Sequence, residues 1–326
     1  MQRSLFIHAG PTKTGTSAIQ DALRRHDNSI VIYPKVGLWA DGSHHNLVLN
    51  FYGDSTRPEV VREDSTEQFA RIAAEARQSR RDLIISSEVL GGRQKPGLFI
   101  RALLDALGPE FSPQILVCVR EHFERAASVY NQRVKDAVTC EQRSPDEFLT
   151  QQSRNLVYAP LVRKFRRAGL PVKTISYHPA ADLVPRMLAE LGFGGEAREP
   201  AANRNVSLAP KALIATLAAN RVARSEEERD HIFDLLRHMP GFYGTSQFIF
   251  SNTAAALAQP GFDEDRRFLE KRFDCALPAP QLPETATAFA IGNAEYDDIA
   301  QATAGLGELR CGLLDQVRLH LHSSGS

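Results

Sequence analysis

The sequence has no excess of charge of either sign. Its 326 residues hold 39 Lys and Arg against 39 Asp and Glu. Nucleic acids recruit a basic surface, so this balance argues against a nucleic-acid partner and leaves room only for a local basic pocket. Cysteine is scarce: Cys118, Cys140, Cys275 and Cys311 stand far apart, and no pair has the spacing of a metal site. Free thiols in a reducing compartment are expected. Long apolar runs are missing as well, for no stretch approaches the ~20 residues that a membrane-spanning helix needs. The N-terminal SLFIHAG turns polar too soon for a secretory leader. A soluble, cytoplasmic protein with no transmembrane segment is the expectation. Internal repeats and low-complexity tracts are also absent from the sequence.

What is present is an alternation. Residues 4–7, SLFI, read as a buried strand, and TSAIQDALRRH after them reads as a helix with Ala18, Ile19, Ala22 and Leu23 on one face. IVIYP (30–34) is a second short apolar run. A helical period over 66–80, a buried strand at 82–88 (DLIISSE) and a helix at 99–108 closed by Gly108 follow. The clearest buried strand is QILVCVRE (114–121), with a helix after it. Ser144, Pro145 and Glu147 spell a helix start with a capping box. A helix is expected to end at Gly169 despite Pro160, then a strand at 172–177, then a helix perturbed by Pro185. Strands alternating with helices predict a central parallel sheet with helices on both faces, a three-layer α/β/α core over residues 1–200. Past residue 200 the signals are helical, so 201–326 is expected to be a helical C-terminal extension packed on that core. A proline-rich stretch, 275–286, marks off 287–326 as a loosely held helical tail.

Residues 8–20, HAGPTKTGTSAIQ, come close to a nucleotide-triphosphate loop, G-x-x-x-x-G-K-[ST]. Gly10 and Gly15 keep its spacing, yet Thr16 stands where the lysine belongs, Ser17 follows, and Lys13 has moved inside the loop. A strand, a glycine turn and a helix N-terminus make an anion site, because the first helical N–H groups lack intrahelical partners and the helix dipole adds positive charge. Thr12, Thr14, Thr16 and Ser17 add hydroxyl donors, and Lys13 brings a full charge. A serine- and threonine-rich turn with no ligand is the plain alternative. A kinase would further need Mg²⁺, held by an aspartate at a buried strand end, and the candidate strands end instead in Ser87-Glu88 and Arg120-Glu121. Arg120 falls where ligands bind in parallel sheets, its planar fork suits a phosphate, and Ser128 follows eight residues later in the next helix. Two anion sites on neighbouring strand ends suit a ligand with phosphate at both ends.

At these residues the chain resembles the sulfotransferases that use 3′-phosphoadenosine 5′-phosphosulfate. GPTKTGTS is similar to their 5′-phosphosulfate loop, and Arg120 with Ser128 to their 3′-phosphate motif. ASVYNQ and NRNVSLAP (203–210) resemble bacterial, carbohydrate-type members, and the likeness covers roughly residues 4–210. The resemblance implies a P-loop-like fold and transfer of a sulfuryl group to an acceptor hydroxyl on a carbohydrate or glycolipid, with adenosine 3′,5′-bisphosphate as product. Residues Thr12 to Ser17, Gly15 among them, would hold the 5′-phosphosulfate. Lys13 would neutralise the bridging oxygen as its bond to sulfur breaks. Arg120 and Ser128 would hold the 3′-phosphate. No metal is expected, because Lys13 and the helix N-terminus can stabilise the developing charge. Arg204 is a candidate donor contact from a late loop.

The acceptor hydroxyl must lose a proton, and Glu88 is the first candidate for that base. His44 and His45 are the second, as acceptor contacts or as the base. Two other functions stay open: a divergent P-loop kinase, which would prefer ATP with Mg²⁺ and tolerate loss of Arg120, and a non-catalytic nucleotide-binding protein.

Overall fold

The structure is a computed structural model that describes residues 2–25, 31–54, 60–177, 183–192, 207–244, 248–280, 282 and 289–321. Chain contacts divide it into two compact units. The first comprises Met1–Arg120, Tyr158–Ala202 and Asp265–Pro278, and the second Glu121–Val157, Asn203–Glu264 and Ala279–Ser326.

The first unit begins with β1 (Arg3–His8), α1 (Thr16–Arg25), α2 (His45–Phe51), α3 (Ser65–Arg77), β2 (Leu83–Ser86), α4 (Glu88–Gly92), α5 (Pro96–Leu107) and β3 (Phe111–Val119). The chain then gives α6 (His122–Lys135) and α7 (Pro145–Gln152) to the second unit. It returns with α8 (Ala159–Arg167), β4 (Val172–Ser176) and α9 (Leu183–Glu190). Next come β5 (Ser207–Leu208), α10 (Pro210–Val222), α11 (Glu226–Leu236), β6 (Tyr243–Gly244), α12 (Asn252–Phe273), α13 (Asn293–Ala302) and α14 (Glu308–Arg318).

In the first unit four strands pair in parallel in the order β2-β1-β3-β4. Alternate strand residues face opposite ways, as the pleat requires. Leu5, Ile7, Leu83, Ile85, Ile115 and Val117 share one core with Phe69 and Ile72 of α3, Phe99 and Leu103 of α5 and Phe165 of α8. Phe6, Ile84, Leu116 and Cys118 share the other with Ile19 and Leu23 of α1 and Val184 and Met187 of α9. Burying each such side chain contributes ~1.5–3 kcal/mol, which explains why these strands read as continuous apolar runs. Within residues 31–34, Ile32 forms an isolated bridge to Leu83, beside β2.

Local signals set the helix ends. Ser144 and Glu147 form the reciprocal capping box ahead of α7. Gly108, at φ 103°, closes α5. Pro160 falls in the first turn of α8, where its missing N–H costs nothing. That helix is capped from a distance: both carboxylate oxygens of Asp265 accept from the backbone N–H groups of Tyr158 and Ala159, each at 2.7 Å.

The second unit is mainly helical, with one short antiparallel pair, β5–β6. Its core gathers Tyr130 and Val134 of α6, Leu213 and Leu217 of α10, and Phe262 of α12. The expectation of a loose tail is corrected here. Ile299 of α13 and Leu313 and Val317 of α14 are fully buried in that same core. Helix α12 carries Pro260 in its interior. Ala254, Ala255, Ala258 and Phe262 bury its N-terminal half and hold it helical across the proline. Among the described residues no helix is long and apolar enough to cross a membrane.

Candidate functional site

The strand order places a switch point between β1 and β3. From β1 the chain moves outward to β2 on one side, and from β3 to β4 on the other. Loops leaving the C-terminal ends of two such strands diverge and open a crevice, the usual ligand position in open α/β sheets. The Gly10–Gly15 turn follows β1, and Arg120 follows β3.

The turn is built to a narrow specification. Lys13 sits in the left-handed region at φ 67°, and Gly15 at φ 82°. A non-glycine residue there costs roughly 1–2 kcal/mol, and such strain gathers at functional sites. Thr14 is buried and its Oγ1 donates to Pro11 O at 2.8 Å, pinning the turn from inside. The N–H groups of Ala18 and Ile19 both donate to Gly15 O, at 3.1 and 3.2 Å, and so start α1 tightly. Space matters as much as dihedral freedom: a Cβ on Gly15 would overlap Leu183 Cδ2 and lie 2.9 Å from the Tyr177 ring. On Gly10 it would lie 3.3 Å from His8 Nε2 and 3.4 Å from Cys118 N.

Arg120 is held at its backbone. The Tyr158 hydroxyl accepts from Arg120 N–H at 2.9 Å and donates to Arg120 O at 2.8 Å. Its guanidinium lies 5.0 Å over the Tyr177 ring, the ring that also closes on Gly15. Tyr177 thus lies against both the Gly10–Gly15 turn and the arginine.

Glu88 is not the last residue of its strand. The ladder ends at Ser86, Ser87 caps the short helix α4, and Glu88 is the first residue of that helix. Its side chain is 13% exposed. Oε2 accepts from Gln20 Nε2 at 3.1 Å and lies 3.5 Å from His45 Nε2, while His45 Nδ1 and Ser87 Oγ are 2.9 Å apart. Gln20 also donates to Ser86 Oγ at 3.1 Å, and that hydroxyl is 2.8 Å from His8 Nδ1. His8 is buried, and burial lowers its pKa to about 4. Its Nε2 has no hydrogen-bond partner among the described residues. A hydrogen-bonded row therefore runs from β1 through β2 and α1 to a carboxylate that remains in contact with solvent.

The two adjacent histidines part company in their surroundings, and His44 is the one turned into the protein. It is fully buried, its Nε2 donates to Pro34 O at 2.9 Å, and its Nδ1 accepts from Ser86 N–H at 3.2 Å. Burial lowers its pKa to about 4. Both nitrogens are bonded to backbone groups. His45 is the one beside Glu88, and the chain's single tryptophan, Trp39, lies edge-on to it at 4.9 Å. Thr12, Lys13, Thr14, Gly15, Thr16 and Ser17 make up the turn and the first residues of α1. Ser128 is the seventh residue of α6, half-buried, and belongs to the second unit. Arg204 lies outside the described residues.

Sequence reasoning missed Gln20, Ser86, His8 and Tyr177. For Gln20 a signal was available: it is a polar residue between Ile19 and Leu23, on the side of α1 that is buried. Such a residue costs stability unless it is hydrogen-bonded. Together these groups can bind an anion at the turn, present a second cation one ring away, and take a proton at a carboxylate beside an imidazole. Neither a scan against protein-family models nor a search of curated proteins found a match for the chain.

Proposed function

We propose that this protein is a sulfotransferase with a P-loop-like core, moving a sulfuryl group from 3′-phosphoadenosine 5′-phosphosulfate to an acceptor hydroxyl of a carbohydrate or glycolipid. The observation that carries this reading is the pairing of two cationic positions across one sheet switch point. Lys13 stands in a strained turn before α1, and Arg120 stacks on the same Tyr177 ring that closes on Gly15. A donor with phosphate at both the 3′ and 5′ positions of one adenosine needs two such sites, whereas ATP needs one extended site with a metal.

In this reading the turn and the N-terminus of α1 bind the 5′-phosphosulfate. The acceptor oxygen attacks sulfur in line, and the bond from sulfur to the bridging oxygen breaks. The acceptor's proton passes to Glu88, and Lys13 neutralises the charge left on the departing phosphate. Arg120 holds the 3′-phosphate through a planar, charge-assisted fork. A glycan acceptor and a cytoplasmic setting belong to the same reading.

Calorimetry with adenosine 3′,5′-bisphosphate, 5′-AMP and ATP with Mg²⁺ tests it. The bisphosphate is expected to bind more tightly than 5′-AMP by about tenfold or more, the value of a charge-assisted contact to the second phosphate. Preference for ATP with Mg²⁺ would favour phosphoryl transfer instead.

A further inference from the structure

Gln20 is 1% exposed and sits on α1 one turn after Thr16, where that helix leaves the anion turn. Ile19, Ala22 and Leu23 beside it are apolar and buried, so a leucine would serve the core better. Both amide hydrogens are used, one on Ser86 Oγ and one on Glu88 Oε2, and both bonds leave from the same nitrogen. That arrangement fixes which way the amide faces. The same Oε2 lies 3.5 Å from His45 Nε2, and Oε1 makes no hydrogen bond among the described residues. The carboxylate is thus held by one oxygen and presents the other.

We propose that Gln20 is a positioning residue: its side-chain amide ties the Glu88 carboxylate to the helix that follows the anion turn, so that the proton-accepting Oε1 and the bound donor keep one registration. The inference rests on Glu88 as the base of the proposed transfer. It adds a link between the two halves of the chemistry that neither motif contains. Because α1 begins at the turn and carries the amide one turn later, donor loop and base move as one body. Rate would then depend on Gln20 although it touches neither donor nor acceptor, and the loss would appear in kcat rather than in donor affinity.

The test combines a mutant cycle with a measurement that needs no turnover. Q20M keeps length and apolar volume and removes both donors. Turnover is followed as adenosine 3′,5′-bisphosphate formed from the donor, with methyl glycosides offered as acceptors. Q20M is expected to lower kcat about tenfold to a hundredfold. The dissociation constant for adenosine 3′,5′-bisphosphate should stay within about threefold, since no contact to it is removed. In an E88Q background Q20M should cost nothing further, because its effect passes through that carboxylate. Additive losses, or weakened bisphosphate binding equal to the rate loss, would overturn the assignment in favour of a merely structural role. Separately, the Gln20 side-chain amide signals in nitrogen-15 NMR should move in E88Q. Signals unmoved by E88Q would overturn the tie itself. A wild-type protein that neither binds the bisphosphate nor turns over the donor would sink the proposed function, and the NMR result would still decide the tie between Gln20 and Glu88.

Discussion

His44 is fully buried against the edge of Tyr33, with ring centroids 4.5 Å apart, and both of its nitrogens are bonded. Its folded-state pKa, lowered to about 4 by burial, lies below the ~6.5 of an unfolded histidine. The unfolded chain therefore binds the extra proton first. The stability this ring contributes is complete above the unfolded value and is lost as pH falls from there toward the folded one. His8 acts in the same direction for the same reason. H44F should keep the ring contact with Tyr33 but strand Pro34 O and Ser86 N. Unfolding free energies from urea titrations, measured from about pH 7 down to pH 4, should fall steeply in the wild type. In H44F they should start lower, by about 1–3 kcal/mol, and fall less. Equal slopes in the two proteins would refute this account of His44. The residue types were plain in the sequence, but their roles were not. The two histidines looked alike because their partners lie 42 residues away on and beside β2. Gln20 met its partners across 66 and 68 residues, beyond the reach of any local pattern.

Secondary elements were legible wherever the determinant was local. The Ser144–Glu147 box, the Gly108 stop and the acidic first turn of α11 after Ser225 are all written within a few residues. Strand ends were not, because the ladder's last rung depends on a neighbour. Glu88 reads as strand by composition, yet pairing stops at His8 with Ser86, and the chain turns into α4. The cap of α8 is of the same kind. No residue next to that helix caps it with a side chain, and Asp265, more than a hundred residues on, does so instead. D265A should therefore uncap α8 and lower stability by about 1–2 kcal/mol. An effect below a few tenths of a kcal/mol would mean that water or another group satisfies those N–H groups. Tyr158, whose N–H Asp265 accepts, also holds both backbone groups of Arg120. The cap thus supports the arginine as well as the helix.

The alternation of strands and helices announced the parallel sheet, because buried strands carry apolar residues on both faces and helices must cover them. Its strand order could not be read. Nothing local says that β3 pairs with β1 on the side away from β2, yet that order creates the switch point at which the turn and Arg120 meet. The close fit of α13 and α14 to the second unit's core was likewise hidden, since a proline-rich connector says nothing about where the chain goes afterwards. The candidate site is therefore a product of topology: the turn and the arginine come to neighbouring strand ends only once four strands have assembled in that order. The most direct test of this claim is the affinity of R120A for adenosine 3′,5′-bisphosphate and for 5′-AMP, measured side by side with the wild type. If Arg120 holds the 3′-phosphate, the bisphosphate should lose about tenfold or more in affinity while 5′-AMP binding is nearly unchanged. Equal losses for both nucleotides, or no loss for either, would contradict the account.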